Sequence, residues 1–231
     1  MKSQLATLLN TRSMTLIVSL PRNDAALSRA AFDAGADAVK VHCNIMHRAS
    51  GSGFGPLSAY AEIFDQILSE AKGPVGLVPG AALEDVQRDM PEAAQLPFDF
   101  FSVYAHHASA SLLKSREMLM LALGHGDGPE DARMLAGLQV PMLEASVIAA
   151  DGYGAPLSAK DVAMYQGLCT ASPVPIVVPT QRSIVPEDLP HLHRAGVKGI
   201  MIGAIVTGTE QSAIARSVAA FRNVIDKGLN A

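Results

Sequence analysis

Short β-branched apolar runs recur along the chain. Each ends in a polar or Gly/Pro-rich stretch and is followed by a segment whose apolar residues repeat with helical spacing. Such runs, bounded by turn signals, read as buried strands, and their alternation with helices reads as successive βα units. Residues 15–20 (TLIVSL) form the first run. Asp24 stands where an N-cap is expected and Gly35 where a helix stops, so the residues between them read as the first helix. Further strands are expected at 38–43 (AVKVHC), 75–78, 100–105 (FFSVYA), 142–148, 175–178 and 199–205. Helices are expected at 58–71, 83–94, 158–170, 186–194 and 210–227.

The stretch 109–124 reads two ways. It is one long helix, or a short helix over 109–114 followed by a strand at 118–124 (MLMLALG). The strand is favoured, because Gly124-His125-Gly126-Asp127-Gly128 then makes a strand-end loop and Pro129-Glu130-Asp131 opens a helix. With it, eight strands alternate with helices, which predicts a single (β/α)8 TIM barrel in the α/β class spanning residues 1–231, with residues 1–13 as a short N-terminal extension. A helix at 118–123 would instead leave a seven-stranded doubly wound sheet. Met118, Met120 and Met134 read as core filling.

Composition narrows the partners. The chain has 231 residues, 49% of them hydrophobic and 17% charged, enough for one large core. With a net charge of -4 and no basic stripe, nucleic acid is not an expected partner. No stretch has the length of a membrane span, and the N-terminal apolar run is too short for a signal sequence. Two cysteines make no disulfide framework and fit a reducing cytoplasm. Pairing of copies into a homo-oligomer through outer helices is left open.

Residues 176–208 (IVVPTQRSIVPEDLPHLHRAGVKGIMIGAIVTG) place two polar or glycine-rich strand ends side by side. In barrels the loops after strands seven and eight often hold phosphate, since glycine lets backbone N–H groups approach an anion and a following helix start adds a positive dipole. Gln181, Arg182, Ser183, Gly203 and Ala204 are therefore candidate phosphate ligands, and a phosphorylated small molecule the expected partner. Over about sixty residues this part resembles the ribulose-phosphate-binding barrels, most of all the N-acylmannosamine-6-phosphate 2-epimerases. The rest of the chain is similar to uncharacterised bacterial β/α-barrel proteins. The resemblance implies a phosphate grip at the "GAI" ending, Gly203-Ala204-Ile205. It also implies a catalytic Lys at the end of strand three and a Glu at the end of strand seven. This chain has Val78-Pro79-Gly80 and Thr180-Gln181-Arg182 at those places, so the epimerase catalytic pair does not carry over.

Other residues supply candidate chemistry. Alternation puts Lys40 and His42 on one face of the second strand and Glu144 and Ser146 on one face of the sixth. A Lys between valines in a buried parallel strand needs a partner, and a Lys40–Glu144 pair across the barrel mouth provides one. Glu144 is then a candidate base next to a carbonyl, Lys40 a stabiliser of the enolate, and His42 a proton donor. An epimerase or isomerase follows from that arrangement; a Schiff base on Lys40 would make a lyase of the aldolase type. A non-catalytic barrel that binds a phosphorylated metabolite is the competing class.

No cofactor is expected, with a divalent metal held by strand-end histidines as the alternative; His106 and His107 would point to opposite faces if their strand continued, which weakens a metal set. Residues 44–56, with Arg48, and the Tyr153 loop have the character of lids over the mouth. Arg48, His107 and Tyr153 complete the candidate substrate contacts.

Overall fold

The computed structural model describes residues 3–229. Eight parallel strands close into a barrel: β1 (Thr15–Ser19), β2 (Ala38–His42), β5 (Val75–Val78), β6 (Phe100–Tyr104), β7 (Leu119–Leu123), β8 (Met142–Ala145), β9 (Ile176–Pro179) and β10 (Gly199–Ile202). Each strand neighbours the next in sequence, and β10 returns to β1. Two short strands, β3 (Ile45–His47) and β4 (Ser52–Phe54), stand apart from the barrel as an antiparallel hairpin. The outer layer is built from α2 (Ala25–Asp33), α3 (Ala61–Glu70), α4 (Leu83–Ala93), α5 (Pro129–Ala136), α6 (Ala159–Ala171), α7 (Leu189–Arg194) and α9 (Gln211–Lys227). A four-residue helix, α8 (Ala204–Thr207), caps β10. No helix among the described residues is long and apolar enough to cross a membrane.

The stretch 118–124 is a strand. β7 pairs with β6 on one side and β8 on the other, and all its residues are buried. The doubly wound alternative therefore falls. Met120 is in the interior, but Met134 is 54% exposed on the outer face of α5, so it does not fill the core. The short helix expected at 109–114 is a run of 3-10 turns over Ala110–Met118. The eighth strand stops at Ile202, because Gly203 begins the turn into α8.

Residues 4–11 are more than an extension. They form α1 (Gln4–Thr11), which lies across the N-terminal end of the barrel. Its N-cap Ser3 hydroxyl accepts from the Ala6 N–H, and the Asp99 carboxylate takes hydrogen bonds from the Ser3 hydroxyl at 2.7 Å and the Leu5 N–H at 2.9 Å. An anion at a helix start suits the exposed amides and the dipole. Leu5 and Leu9 then pack with Ile17, Ala38, Phe100, Met120, Met142, Val177 and Met201 inside the barrel. Gly76 leaves room for the Phe100 ring, which a Cβ at that position would overlap. The lower half of the barrel is thus a largely apolar plug, with buried Thr15 at the start of β1 its polar exception, and the charged side chains of the same strands lie in the upper half.

Candidate active site

Period-two alternation explains where the polar groups go. Along β2 the inward positions run Ala38, Lys40, His42; along β6, Phe100, Ser102, Tyr104; along β8, Met142, Glu144, and then Ser146 just beyond the strand. Each series starts apolar in the plug and ends polar at the mouth. Above the plug lies a cavity of about 410 Å³, lined by these polar residues with Ser19, His47, Arg48, Tyr153, Thr180, Gln181 and Gly203.

Lys40 and Glu144, each 5% exposed, form an ion pair with Nζ 3.2 Å from Oε2. The Ser102 hydroxyl donates to Glu144 Oε2 at 2.7 Å and the Ser146 hydroxyl to Oε1 at 2.8 Å. Burial alone would raise the Glu144 pKa, but the Lys40 charge and the two hydroxyls outweigh it and hold the carboxyl below its ordinary value. Glu144 is therefore ionised at neutral pH. Tyr104 is the opposite case: burial, then the Glu144 charge, push its phenol up to about 12, so it keeps its proton.

His42 is held rigidly. The Asn23 side chain donates to the His42 carbonyl at 2.7 Å and accepts from its N–H at 3.1 Å. The ring Nε2 lies 3.2 Å from the Ser19 hydroxyl, while the buried Nδ1 has no hydrogen-bond partner. Burial, His47 and Lys40 push the His42 pKa well below the ordinary imidazole value, and burial with Lys40 lowers His47 to about 4. Both rings are neutral at neutral pH and stack 4.7 Å apart, with Phe54 against His42.

The hairpin is fastened at its base. Asn44 adopts φ 49°, a left-handed turn that Asn tolerates. Its amide donates to the Pro79 carbonyl at 2.8 Å and to Asp89 at 2.6 Å, and Asp89 also accepts from the Leu57 N–H at 3.1 Å. Across the mouth, the Arg48 guanidinium lies over the Tyr153 ring at 5.4 Å.

The candidates for phosphate are distributed differently from the sequence expectation. Gln181 lines the cavity, but its amide donates to the Tyr153 hydroxyl at 2.6 Å and accepts from the Ile148 N–H at 3.0 Å, so it braces the Tyr153 loop. Arg182 turns away from the mouth; it bonds the Gly152 carbonyl at 2.8 Å and pairs with Asp161 at 3.0 Å. Ser183 is outside the cavity lining, and its N–H serves the Ala155 carbonyl. Gly203 lines the cavity with its N–H donated to the Thr180 hydroxyl at 2.9 Å, and Ala204 opens α8 beside it. His107 lies outside the lining, in a 3-10 turn next to His106 and Tyr104. Among the described residues, no three His, Cys, Asp or Glu side chains gather as a metal would require.

Ser19, Ser102, Tyr104 and Thr180 were not singled out by sequence. The alternation that selected Lys40 selects the first three equally well; Thr180 follows a strand-ending proline, where alternation stops.

No protein-family model and no curated protein matches the chain. Solved structures do. The chain is similar to a tryptophan synthase from M. tuberculosis in its aminoacrylate-bound form, with a TM-score of 0.71, 11% identity, and coverage of 96% of this chain and 99% of that one. It is also similar to a thiamine phosphate pyrophosphorylase from Pyrococcus furiosus, with a TM-score of 0.64, 13% identity and coverage of 95% and 98%. The (S)-3-O-geranylgeranylglyceryl phosphate synthase from Thermoplasma acidophilum, in complex with its substrate sn-glycerol-1-phosphate, aligns with a TM-score of 0.61, 15% identity and coverage of 98% and 100%. At such low identity these likenesses establish the fold: the chain is a (β/α)8 TIM barrel.

Proposed function

We propose that the chain is an enzyme that moves a proton next to the carbonyl of a small phosphorylated sugar or sugar acid, as an epimerase or isomerase. The observation that carries this reading is the Lys40–Glu144 pair, 3.2 Å apart on the floor of a cavity of about 410 Å³. A buried ion pair stabilises a fold weakly, so its place at the bottom of a cavity favours a chemical role over a merely structural one. It also favours catalysis over simple metabolite binding.

In this reading Glu144 takes the proton from the carbon beside the carbonyl. The C–H electron pair moves into the new C=C bond and the carbonyl oxygen becomes an enolate, which the Lys40 ammonium stabilises. Return of a proton to the opposite face of the same carbon gives the epimer; return to the former carbonyl carbon, with the proton of the adjacent hydroxyl passing to the former carbonyl oxygen, gives the isomer. In this reading the Tyr104 phenol of the cavity lining, still protonated at neutral pH, gives that proton and regains one from the protonated Glu144, while His42, its backbone held by Asn23 and its ring kept neutral by burial, is a hydrogen-bonding wall. The phosphate belongs at the Gly203–Ala204 end, where the first amides of α8 have no helical carbonyl behind them. Two of the structural neighbours carry phosphate in the names of what they act on, which supports a phosphorylated substrate here. Both cysteines are free, in keeping with a reducing cytoplasm.

One feature favours a second reading. Glu144 is within reach of the Lys40 ammonium and can take its proton, leaving an amine that attacks a carbonyl and expels water as an imine. Incubation with a panel of aldose, ketose and keto-acid sugar phosphates in D2O, followed by NMR, tests the first reading. Deuterium entering the carbon next to the carbonyl, and lost in E144Q, supports proton transfer. A borohydride-stable adduct on Lys40 moves the assignment to a lyase, and neither result with any member of the panel rejects both.

A further inference from the structure

Lys40 and Glu144 cancel each other's charge inside the cavity, which leaves one unbalanced charge in its lining, that of Arg48. Among the described residues Arg48 meets no acidic side chain, whereas Arg22, Arg88 and Arg182 near the same end of the barrel are all engaged with carboxylates. Nor is its guanidinium loose. It rests on the face of Tyr153, whose hydroxyl is held by Gln181, whose other end is held by the Ile148 N–H. A planar guanidinium stacked on a ring keeps its edge free, and that edge offers paired N–H donors. Its charge reaches inward as well, since it acts to lower the Tyr104 pKa against the effect of burial.

We infer that Arg48 is the receptor for a carboxylate of the substrate, so the substrate is an acid and not a neutral sugar. A single cation matches the single charge of a carboxylate, and the planar fork matches its two oxygens. This inference rests on the proposed phosphate position only in placing the phosphate elsewhere, at the Gly203 end of the mouth. The acid group would then lie at the hairpin side, with the reacting carbon above Glu144 between the two anions. Specificity follows from the arrangement, because a neutral analogue leaves the Arg48 charge without a partner.

The test separates the two anion positions by using glycerol, glycerate, glycerol 3-phosphate and 3-phosphoglycerate as probes, with dissociation constants from calorimetric titration of wild type, R48K and R48M. Each acid should bind at least about tenfold more tightly than its alcohol, R48M should abolish that preference, and R48K should keep only part of it. Glycerate preferred over glycerol in an Arg48-dependent way supports the inference even if neither phosphate ester gains over its parent, an outcome that would remove only the phosphate assignment. No acid preference in either pair, including no binding by any probe, overturns it; so does a preference that survives in R48M. Arg48 is exposed, and R48M is expected to unfold at the wild-type temperature, which confirms that a lost preference is local.

Discussion

Nζ of Lys40 lies 3.2 Å from Oε2 of Glu144, although 104 positions of sequence separate the two residues. Removing one partner of such a pair strands the other as a lone buried charge. K40M and E144L alone are each expected to cost about 3–5 kcal/mol of folding stability, while the K40M/E144L double variant recovers most of that loss. Urea unfolding of the four proteins measures the cycle. Turnover should be absent in the double variant despite its restored stability. A double variant whose loss equals the sum of the single losses would show that the two charges are not each other's main support.

That relationship was legible in the sequence because a charge flanked by Val39 and Val41 has few places to go in a parallel strand. Alternation then gave its direction. The same rule applied to FFSVYA gives Ser102 and Tyr104, but there the polar atoms are hidden in an aromatic run that reads as core. Arg182 was not legible. Its strand ends at Pro179 and the chain turns within two residues, so alternation no longer says where a side chain points. Its direction is set by Asp161, on a helix that sequence alone does not bring near. The hairpin was legible only as a long glycine-rich loop, since strands of three residues carry no measurable period.

The histidines set an acid limit on stability. His42 and His47 both have folded pKa values below the ordinary imidazole value near 6.5, with His47 at about 4. Below 6.5 the unfolded chain binds protons that the folded chain does not, so unfolding is favoured increasingly as the pH falls. The His47 contribution is fully present above pH 6.5 and is lost on descending toward 4, and His42, with its pKa lowered in the same direction, adds to the loss below 6.5. Melting temperatures measured from pH 8 to pH 4 should fall across this window, and H47Q should flatten the slope. Glu144 adds a further loss at lower pH, where its depressed carboxyl finally protonates.

Asp89 ties the hairpin to the barrel. It is 8% exposed and holds the Asn44 amide and the Leu57 N–H, at the two ends of the segment that carries His47 and Arg48. D89A leaves both donors without their acceptor and is expected to cost about 1–3 kcal/mol. Hydrogen exchange should quicken over residues 44–57 while the strands of the barrel remain protected. Uniform quickening throughout the chain would mean that Asp89 supports the whole fold and not the hairpin in particular.

The floor beneath Lys40 depends on a glycine. Gly76 on β5 is in register with Lys40 on one side and with Phe100 on the other, and the Phe100 ring fills the space a Cβ would take. G76A therefore forces the ring to move within a plug already closed from below by Leu5 and Leu9. Overpacking of this kind is expected to cost about 1–3 kcal/mol. F100L alone removes ring volume and should also destabilise, but in the G76A/F100L double variant the new methyl occupies part of the space the ring vacates. The two losses should fall short of adding by about 0.5–3 kcal/mol, the size of coupling seen between residues in contact. Because the ring has Ser102 and Glu144 above it, G76A should also disturb the pair, and the E144L cost measured in the G76A background should shrink. Strict additivity of G76A and F100L would mean that the barrel absorbs the methyl by shifting β5, and that the plug does not fix the height of the Lys40–Glu144 layer.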